Sequence, residues 1–490
     1  MKFWDHVAQE QHYLTFNQSN QGPVGLIYPN AYSVGMASLG FQQIYRLFRE
    51  SGIAVERVFF DKKGRETRSI ENHTPLFRFP VLAASYTYEL DIVNLLKMLL
   101  CGGVEPLSES RQDGAPVIII GGQAATANPA LLQPFADAVV LGEGEETIAK
   151  ISAALITTHD KSRDAILQAM AEIPSIYVPR IHGDYSRDQF TRNVIDPLEQ
   201  YPCHSVIRAN NDEFGGSFLL EVSRGCNYRC KFCIVHYQNG SARYRSFDSL
   251  IDILEKHQNQ FLKVGLLGAA VADHPQIEDI TEWLTQHGKQ VGTSSLRAEK
   301  VTERFLDLLK LGGQQTLTIA PETGSLANRK TLLKGVKDEK YFQLAEWMGQ
   351  RRFHYLKLYF LIGIPGADPM LEANDIIEFS QTIGDIFCKA GGSKVTVAVS
   401  PFVPKPSTPW ENEPLWEPKK IKKASRIIRK QLAFRGNMKV PPVNVKEARI
   451  ETILSRFGAE LKDELLQLAH GESTIENAFN SIDIGGAREI

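Results

Sequence analysis

Short apolar runs recur along the first third of the chain, separated by stretches in which apolar positions return every three or four residues. The runs at 24–28, 55–60, 81–85, 117–120 and 138–141 have the length and β-branched content of buried strands. Segments 36–51 and 91–100 carry the amphipathic period of helices. Strands alternating with helices in this way predict an α/β domain with a doubly wound parallel sheet of the flavodoxin-like class. Ligands of such sheets sit over the carboxyl ends of the strands. The loops expected there, 29–35, 121–126 and 142–145, are rich in small residues. Their glycines let a backbone approach something flat or bulky, or simply turn the chain.

A helix and an irregular connection follow over 151–215. Strand-like runs then resume at 218–222, 264–267, 292–294, 316–320, 355–360 and 394–399, with helical patterns between them. Six βα units predict an open parallel (β/α)6 barrel with its reactive groups at the carboxyl ends of the strands. Prolines at 401, 404, 406, 409, 414 and 418 interrupt regular structure. Beyond them, 419–430 reads as a basic amphipathic helix and 445–469 as further helix. The organisation expected is 1–195 for the first domain and its connection, 196–410 for the barrel, and 411–490 for a helical extension.

A chain of 490 residues exceeds what one hydrophobic core supports, in keeping with several domains. Its 55 basic and 57 acidic residues leave a net charge of −2, so no global positive field points to nucleic acid. The basic face of 419–430, with Ile421, Ile427, Ile428 and Leu432 opposite, reads first as the solvated side of an ordinary helix. No stretch reaches the roughly 20 apolar residues of a membrane span, and the first residues do not resemble a signal peptide. A cytoplasmic protein without membrane insertion is expected.

Six cysteines are too few for a disulfide scaffold. Cys101, Cys203 and Cys388 stand alone and read as small buried hydrophobes. Cys226, Cys230 and Cys233 fall within eight residues, directly after the strand expected at 218–222. Thiolates at this spacing in a loop suit an iron–sulfur cluster or a zinc ion. Zinc ordinarily takes a fourth protein ligand, which His236 could supply. A 4Fe–4S cluster with three cysteines instead keeps one iron open.

In its Cys226-x3-Cys230-x2-Cys233 loop after a barrel's first strand, the chain resembles the radical S-adenosylmethionine (SAM) superfamily. The resemblance implies a 4Fe–4S cluster whose open iron binds SAM and whose electron releases a 5′-deoxyadenosyl radical. It places Phe232 beside the adenine. It also implies SAM contacts from Gly268, in Leu267-Gly268-Ala269-Ala270, where the family carries a Gly-Gly-Glu-type motif; the acidic residue is missing here. Ser294 and Arg297 match a position that reaches the methionyl carboxylate, Glu322 matches a residue that binds ribose hydroxyls, and Gly363 belongs to a loop near the adenine. Arg297 and Glu322 can also be read as plain ion-pair partners.

The segment from Val24 to about Ile151 resembles the cobalamin-binding domain fused to many radical SAM enzymes, through Gly121-Gly122, Asn128-Pro129 and Asp137 to Glu145. The positions this implies for the corrin are Asn30, Tyr32, Gly35, Ser85, Gly121, Gly122, Thr126, Gly142 and Glu143. Cobalamin domains that ligate cobalt through histidine carry Asp-x-His-x-x-Gly in the first loop. Here that loop, 29–35, has no histidine, so binding would be histidine-independent.

The function expected from the resemblance is cobalamin-dependent methyl transfer to an unactivated centre of an unknown substrate, with flavodoxin or ferredoxin as electron donor. Two alternatives stay open within the superfamily. One is non-methylating chemistry such as cyclisation, rearrangement or sulfur insertion, and the other is modification of tRNA or another RNA.

Overall fold

Burial of the β-branched runs builds the first sheet. In the computed structural model, which describes residues 7–16, 21–61, 67–158, 162–209, 211–482 and 484, it contains β1 (Gln21–Tyr28), β2 (Ile53–Phe59), β3 (Val81–Ser85), β4 (Val117–Gly121), β5 (Ala138–Val140) and β6 (Ile176–Tyr177). Their order is β2-β1-β3-β4-β5-β6. The first five are parallel and β6 is antiparallel at the edge. This is the doubly wound flavodoxin-like order, with its switch point between β1 and β3.

The apolar faces of the intervening helices fill the space against the sheet. Helix α1 (Leu39–Glu50) starts at Ser38, whose side chain accepts from the Phe41 amide. Helices α2 (Asp91–Cys101) and α3 (Glu145–Thr157) follow, α2 burying Ile92, Leu95, Leu96 and Leu99. The edge strand β6 escapes the sequence reading because two residues carry no period.

The second sheet system comprises β7 (Phe218–Glu221), β8 (Lys263–Leu267), β9 (Gln290–Thr293), β10 (Ser295–Leu296), β11 (Thr316–Glu322), β12 (Tyr355–Ile362), β13 (Lys394–Pro401) and the short β14 (Met438–Lys439). They form two parallel pieces, β9-β8-β7 and β10-β11-β12-β13-β14. Only Ser294 separates β9 from β10, so one bent strand joins the pieces into an open partial barrel. Its helices include α4 (Ile234–Asn239), α5 (Leu326–Thr331) and α6 (Pro369–Lys389).

Helix α7 (Pro418–Ala433) buries Ile421, Ala424, Ile428 and Leu432 and leaves its lysines and arginines exposed. The single helix expected over 445–469 is instead two, α8 (Val445–Arg456) and α9 (Lys462–His470). The break falls at Gly458, where a Cβ would press on Ala130.

The chain forms two compact units. The first holds residues up to Gly216 together with Ile453–Ile482, and the second holds Ser217–Thr452. The segment expected as an extension, 411–490, is thus shared between them. Among the described residues no helix is long and apolar enough to cross a membrane.

Candidate active site

Strand β7 ends at Glu221, and the chain must turn sharply into the cysteine segment. Gly225 makes that turn at φ +76°, where an added Cβ would strike the Ser241 carbonyl. The loop is then pinned by its own amides. Cys226 N–H donates to Gly240 O at 3.1 Å, Cys233 N–H to Cys230 O at 3.1 Å, and Lys231 N–H to Leu332 O at 3.2 Å. Beneath it, Glu221 accepts from Arg224 at 2.9 Å and from Arg245 at 2.6 Å. Burial opposes the charge on Glu221, but the two guanidiniums outweigh it and hold the carboxyl below the usual range.

Cys230 is buried, and Cys226 and Cys233 are half-buried. Cys226 lies near enough to disfavour ionisation of Cys230 and Cys233, and Cys230 acts likewise on Cys233; these effects are smaller than burial, which pushes Cys233 up to about 11. Lys334 and Arg297 act in the opposite sense on Cys230. Thiols so placed ionise when a polycationic centre takes them as ligands. His236 Nδ1 is engaged with the Cys226 carbonyl at 2.6 Å, which fixes the ring beside the loop. Among the described residues no three His, Cys, Asp or Glu side chains converge on one ion.

The carboxyl ends of the other strands bring the remaining positions around this loop. Gly268, after β8, lies so close to Ser223 that a Cβ would meet its Oγ. Arg297, after β10, stacks its guanidinium 3.4 Å above the Tyr228 ring and pairs with Glu299 at 2.5 Å. Phe232 packs against the buried cluster of Leu332, Ile364, Phe402 and Trp410. Gly363, after β12, sits at φ +81° with the Trp416 ring where a Cβ would be. Glu322, after a bulge in β11, adopts φ +68° and accepts from Lys334 Nζ at 2.7 Å. Ser294 stands exposed at the break between β9 and β10.

Three site residues have no signal in the sequence. Asp273 receives the Tyr228 hydroxyl, and its Oδ1 is buried without a hydrogen-bond partner, as is Glu299 Oε2. Asp273 stands three residues beyond 267–270, a segment that carries no carboxylate of its own. Orphaned carboxylate oxygens can accept from an ammonium group, and the stacked arginine beside them can donate to a carboxylate. Lys334 is the second. The third, Glu372, accepts from the Gly363 amide at 2.7 Å and the Ile364 amide at 3.2 Å, and so fixes the loop at 363–366.

In the first unit, the nine positions implied for a corrin line the carboxyl edge of the sheet, and most are held by the chain itself. Asn30 donates to Asp91 at 2.9 Å, and Tyr32 donates to Glu10 at 2.6 Å. Burial pushes Asp91 up to about 6 against the hydrogen bonds from Asn30 and Asn94. Gly35 abuts Phe59, Gly122 the Tyr86 backbone, and Gly142 the Asn193 backbone. Thr126 Oγ1 accepts from the Gly142 amide at 3.0 Å, and Glu143 from the Ile195 amide at 2.8 Å. Gly121 faces Val140, and Ser85 closes β3 half-exposed. These residues shape the edge at and beside the switch point, where a flat ligand of this fold would lie. Of the isolated cysteines only Cys203 is buried; Cys101 is exposed and Cys388 half-buried, because each lies near a helix end rather than under the sheet.

Residues 220–373 match the family model described as Radical SAM superfamily, and residues 40–179 match Radical SAM proteins, N-terminal. An uncharacterized protein of Methanocaldococcus jannaschii is 24% identical over 414 residues, spanning 83% of this chain and 84% of its own length. Among solved structures, the chain is similar to the radical S-adenosylmethionine methyltransferase TsrM from Kitasatospora setae with cobalamin and a 4Fe–4S cluster bound. The TM-score is 0.64 and the identity 13%, covering 94% of this chain and 100% of that one. Another structure of TsrM holds a tryptophan substrate and a SAM analogue. The cobalamin-dependent S-adenosylmethionine radical enzyme OxsB, with aqua-cobalamin and SAM bound, matches at TM-score 0.52 and 17% identity over 76% of this chain and 55% of that one. At these identities the likeness is one of fold.

Proposed function

Because this chain belongs to the radical SAM superfamily, we propose that Cys226, Cys230 and Cys233 hold a 4Fe–4S cluster that cleaves SAM, and that the protein transfers a methyl group to an unactivated centre of its substrate with cobalamin as carrier. The observation that supports this most is the gathering of three mutually interacting thiols with Arg297, Glu322 and Gly363 on one rim of the barrel. When bound, the cluster supplies the single electron for SAM cleavage, and cobalamin supplies a methyl carrier.

The chain's own residues do the positioning. Arg297 takes the methionyl carboxylate, leaving the Tyr228 ring as a fixed platform under its guanidinium. Asp273 offers its orphaned oxygen to the amino group, and Glu322 accepts from the ribose hydroxyls. The amides ordered by Glu372, together with Phe232, border the adenine. In the first unit, Asn30, Tyr32, Gly35, Ser85, Gly121, Gly122, Thr126, Gly142 and Glu143 bound the surface that takes the corrin. The TsrM-like fold over nearly the whole chain supports the cobalamin and methyl-transfer parts of this reading.

The test is anaerobic reconstitution of the full chain with iron and sulfide, then incubation with SAM, cobalamin and reduced flavodoxin or ferredoxin. The proposal expects SAM turnover with 5′-deoxyadenosine and S-adenosylhomocysteine both formed once a substrate is present. Deoxyadenosine without S-adenosylhomocysteine would shift the assignment to non-methylating chemistry. No consumption of SAM under strong reductant would remove both. The exposed basic face of α7 supports a second reading, an RNA substrate, which salt-dependent tRNA binding would reveal.

A further inference from the structure

We propose that Lys334 is a positioning residue: it holds one carboxylate oxygen of Glu322 so that the other is presented to the vicinal diol of the bound nucleoside. This rests on the reading of Glu322 as the ribose partner and assigns the device that orients it.

Glu322 has an unusual backbone. A glutamate at φ +68° directly after a β-bulge is strained, and strain of this kind persists where surrounding structure enforces it. The enforcing structure is the turn at 332–336. Leu333 enters the left-handed region at φ +60°, Lys334 N–H donates to Arg329 O at 2.9 Å, and Val336 N–H donates to Lys334 O at 2.8 Å.

That turn is clamped from two sides. The Lys231 amide, between two of the cysteines, donates to Leu332 O, and the Leu332 side chain belongs to the buried cluster against which Phe232 packs. On the other side the fully buried Arg329 donates from Nε to Val336 O at 2.9 Å and from Nη1 to Thr323 O at 2.8 Å. Thr323 follows Glu322 directly. The backbone that carries Lys334 therefore cannot shift without moving both the cysteine loop and the strand end that carries Glu322.

The ammonium is itself 8% exposed as a residue, and a lysine buried to that degree is retained where a carboxylate pairs with it. Its contact is to Glu322 Oε1 at 2.7 Å. An ionised carboxylate has about four acceptor positions, so this bond leaves Oε2 for two hydroxyls on adjacent carbons. Without the lysine the carboxylate would be free to rotate, and its charge would stand unpaired beside thiolate ligands. The diol would then meet a misaligned acceptor.

The test measures affinity of the reconstituted, full-length protein for SAM and for its 2′-deoxy analogue, by equilibrium binding. Wild type is compared with Lys334→Met, Lys334→Arg, Glu322→Gln and the double variant Lys334→Met/Glu322→Gln, all checked for iron content and circular dichroism. Lys334→Met is expected to weaken SAM about tenfold, the loss of one charge-assisted bond's alignment, and to weaken the deoxy analogue far less. Lys334→Arg should recover part of the loss, and the double variant should bind SAM no worse than Glu322→Gln alone. If Glu322→Gln weakens SAM more than the deoxy analogue while Lys334→Met weakens both equally or neither, the positioning role is overturned and the ribose reading stands. If Glu322→Gln weakens both ligands equally or neither, the ribose reading fails and takes the proposal with it. Should Lys334→Met fail to fold, Lys334→Gln provides the same comparison.

Discussion

Glu372 shows burial and hydrogen bonding pulling one carboxyl in opposite directions. Two amides favour its charge, yet burial is the larger effect and pushes it up to about 7. The unfolded chain releases that proton near 4.5, so between the two values the folded state binds more protons. Its contribution is therefore fully present at low pH and is lost as pH rises through about 7, by up to about 3 kcal/mol. Urea midpoints measured across this range should fall with pH in wild type more steeply than in Glu372→Gln; equal slopes would remove the effect. At the cysteines, Cys226→Ala, Cys230→Ala and Cys233→Ala should each lose nearly all iron and labile sulfide after reconstitution. Cys101→Ala, Cys203→Ala and Cys388→Ala should lose none, and any full retention in the first group would break the ligand assignment. The triad is legible in sequence because its residues are neighbours along the chain. Asp273, Lys334 and Glu372 are not, since only folding makes them neighbours of Tyr228, Glu322 and Gly363.

Parallel strands buried on both faces write themselves as continuous apolar runs, and so β3 and β4 are legible almost to the residue. The bent strand β9–β10 is less so. Gly292, Thr293 and Ser294 are small or polar, and the bend depends on how the two pieces of the barrel meet. The division between α8 and α9 follows from contact with Ala130, which no helical period encodes. Loop geometry at the strand ends carries a sharper test. Gly363→Ala must place a Cβ at φ +81° against the Trp416 ring, at a cost of about 1–4 kcal/mol from backbone strain and overlap together. Adding Trp416→Ala should relieve only the overlap, so the double variant is expected to lose less than the sum of the two single losses in denaturant titration. Strict additivity would show that the ring does not crowd the glycine.

The first unit draws on both ends of the chain. Asn128 Nδ2 donates to the carbonyls of Leu454 and Phe457, each at 2.8 Å, and so ties the segment that leads into α9. Helix α9 buries Leu465, Leu468 and Ala469 and packs against α2. Asn128→Ala leaves two carbonyls without their donor, and a loss of about 1–3 kcal/mol is expected. Hydrogen exchange should show it as faster exchange across 462–470, whereas unchanged protection there would make the asparagine dispensable. The sequence shows Asn128-Pro129 only as a mark of family resemblance and 411–490 as a helical extension, because a pairing across more than three hundred residues leaves no local trace. This closure has a consequence for biosynthesis. A ribosome that has released residue 216 has delivered every strand of the first sheet, yet the helix that covers α2 arrives only after the entire barrel has been translated. Until then the outer surface of α2 remains uncovered, and a transcript cut short after the barrel should yield a polypeptide that leans on chaperones or precipitates.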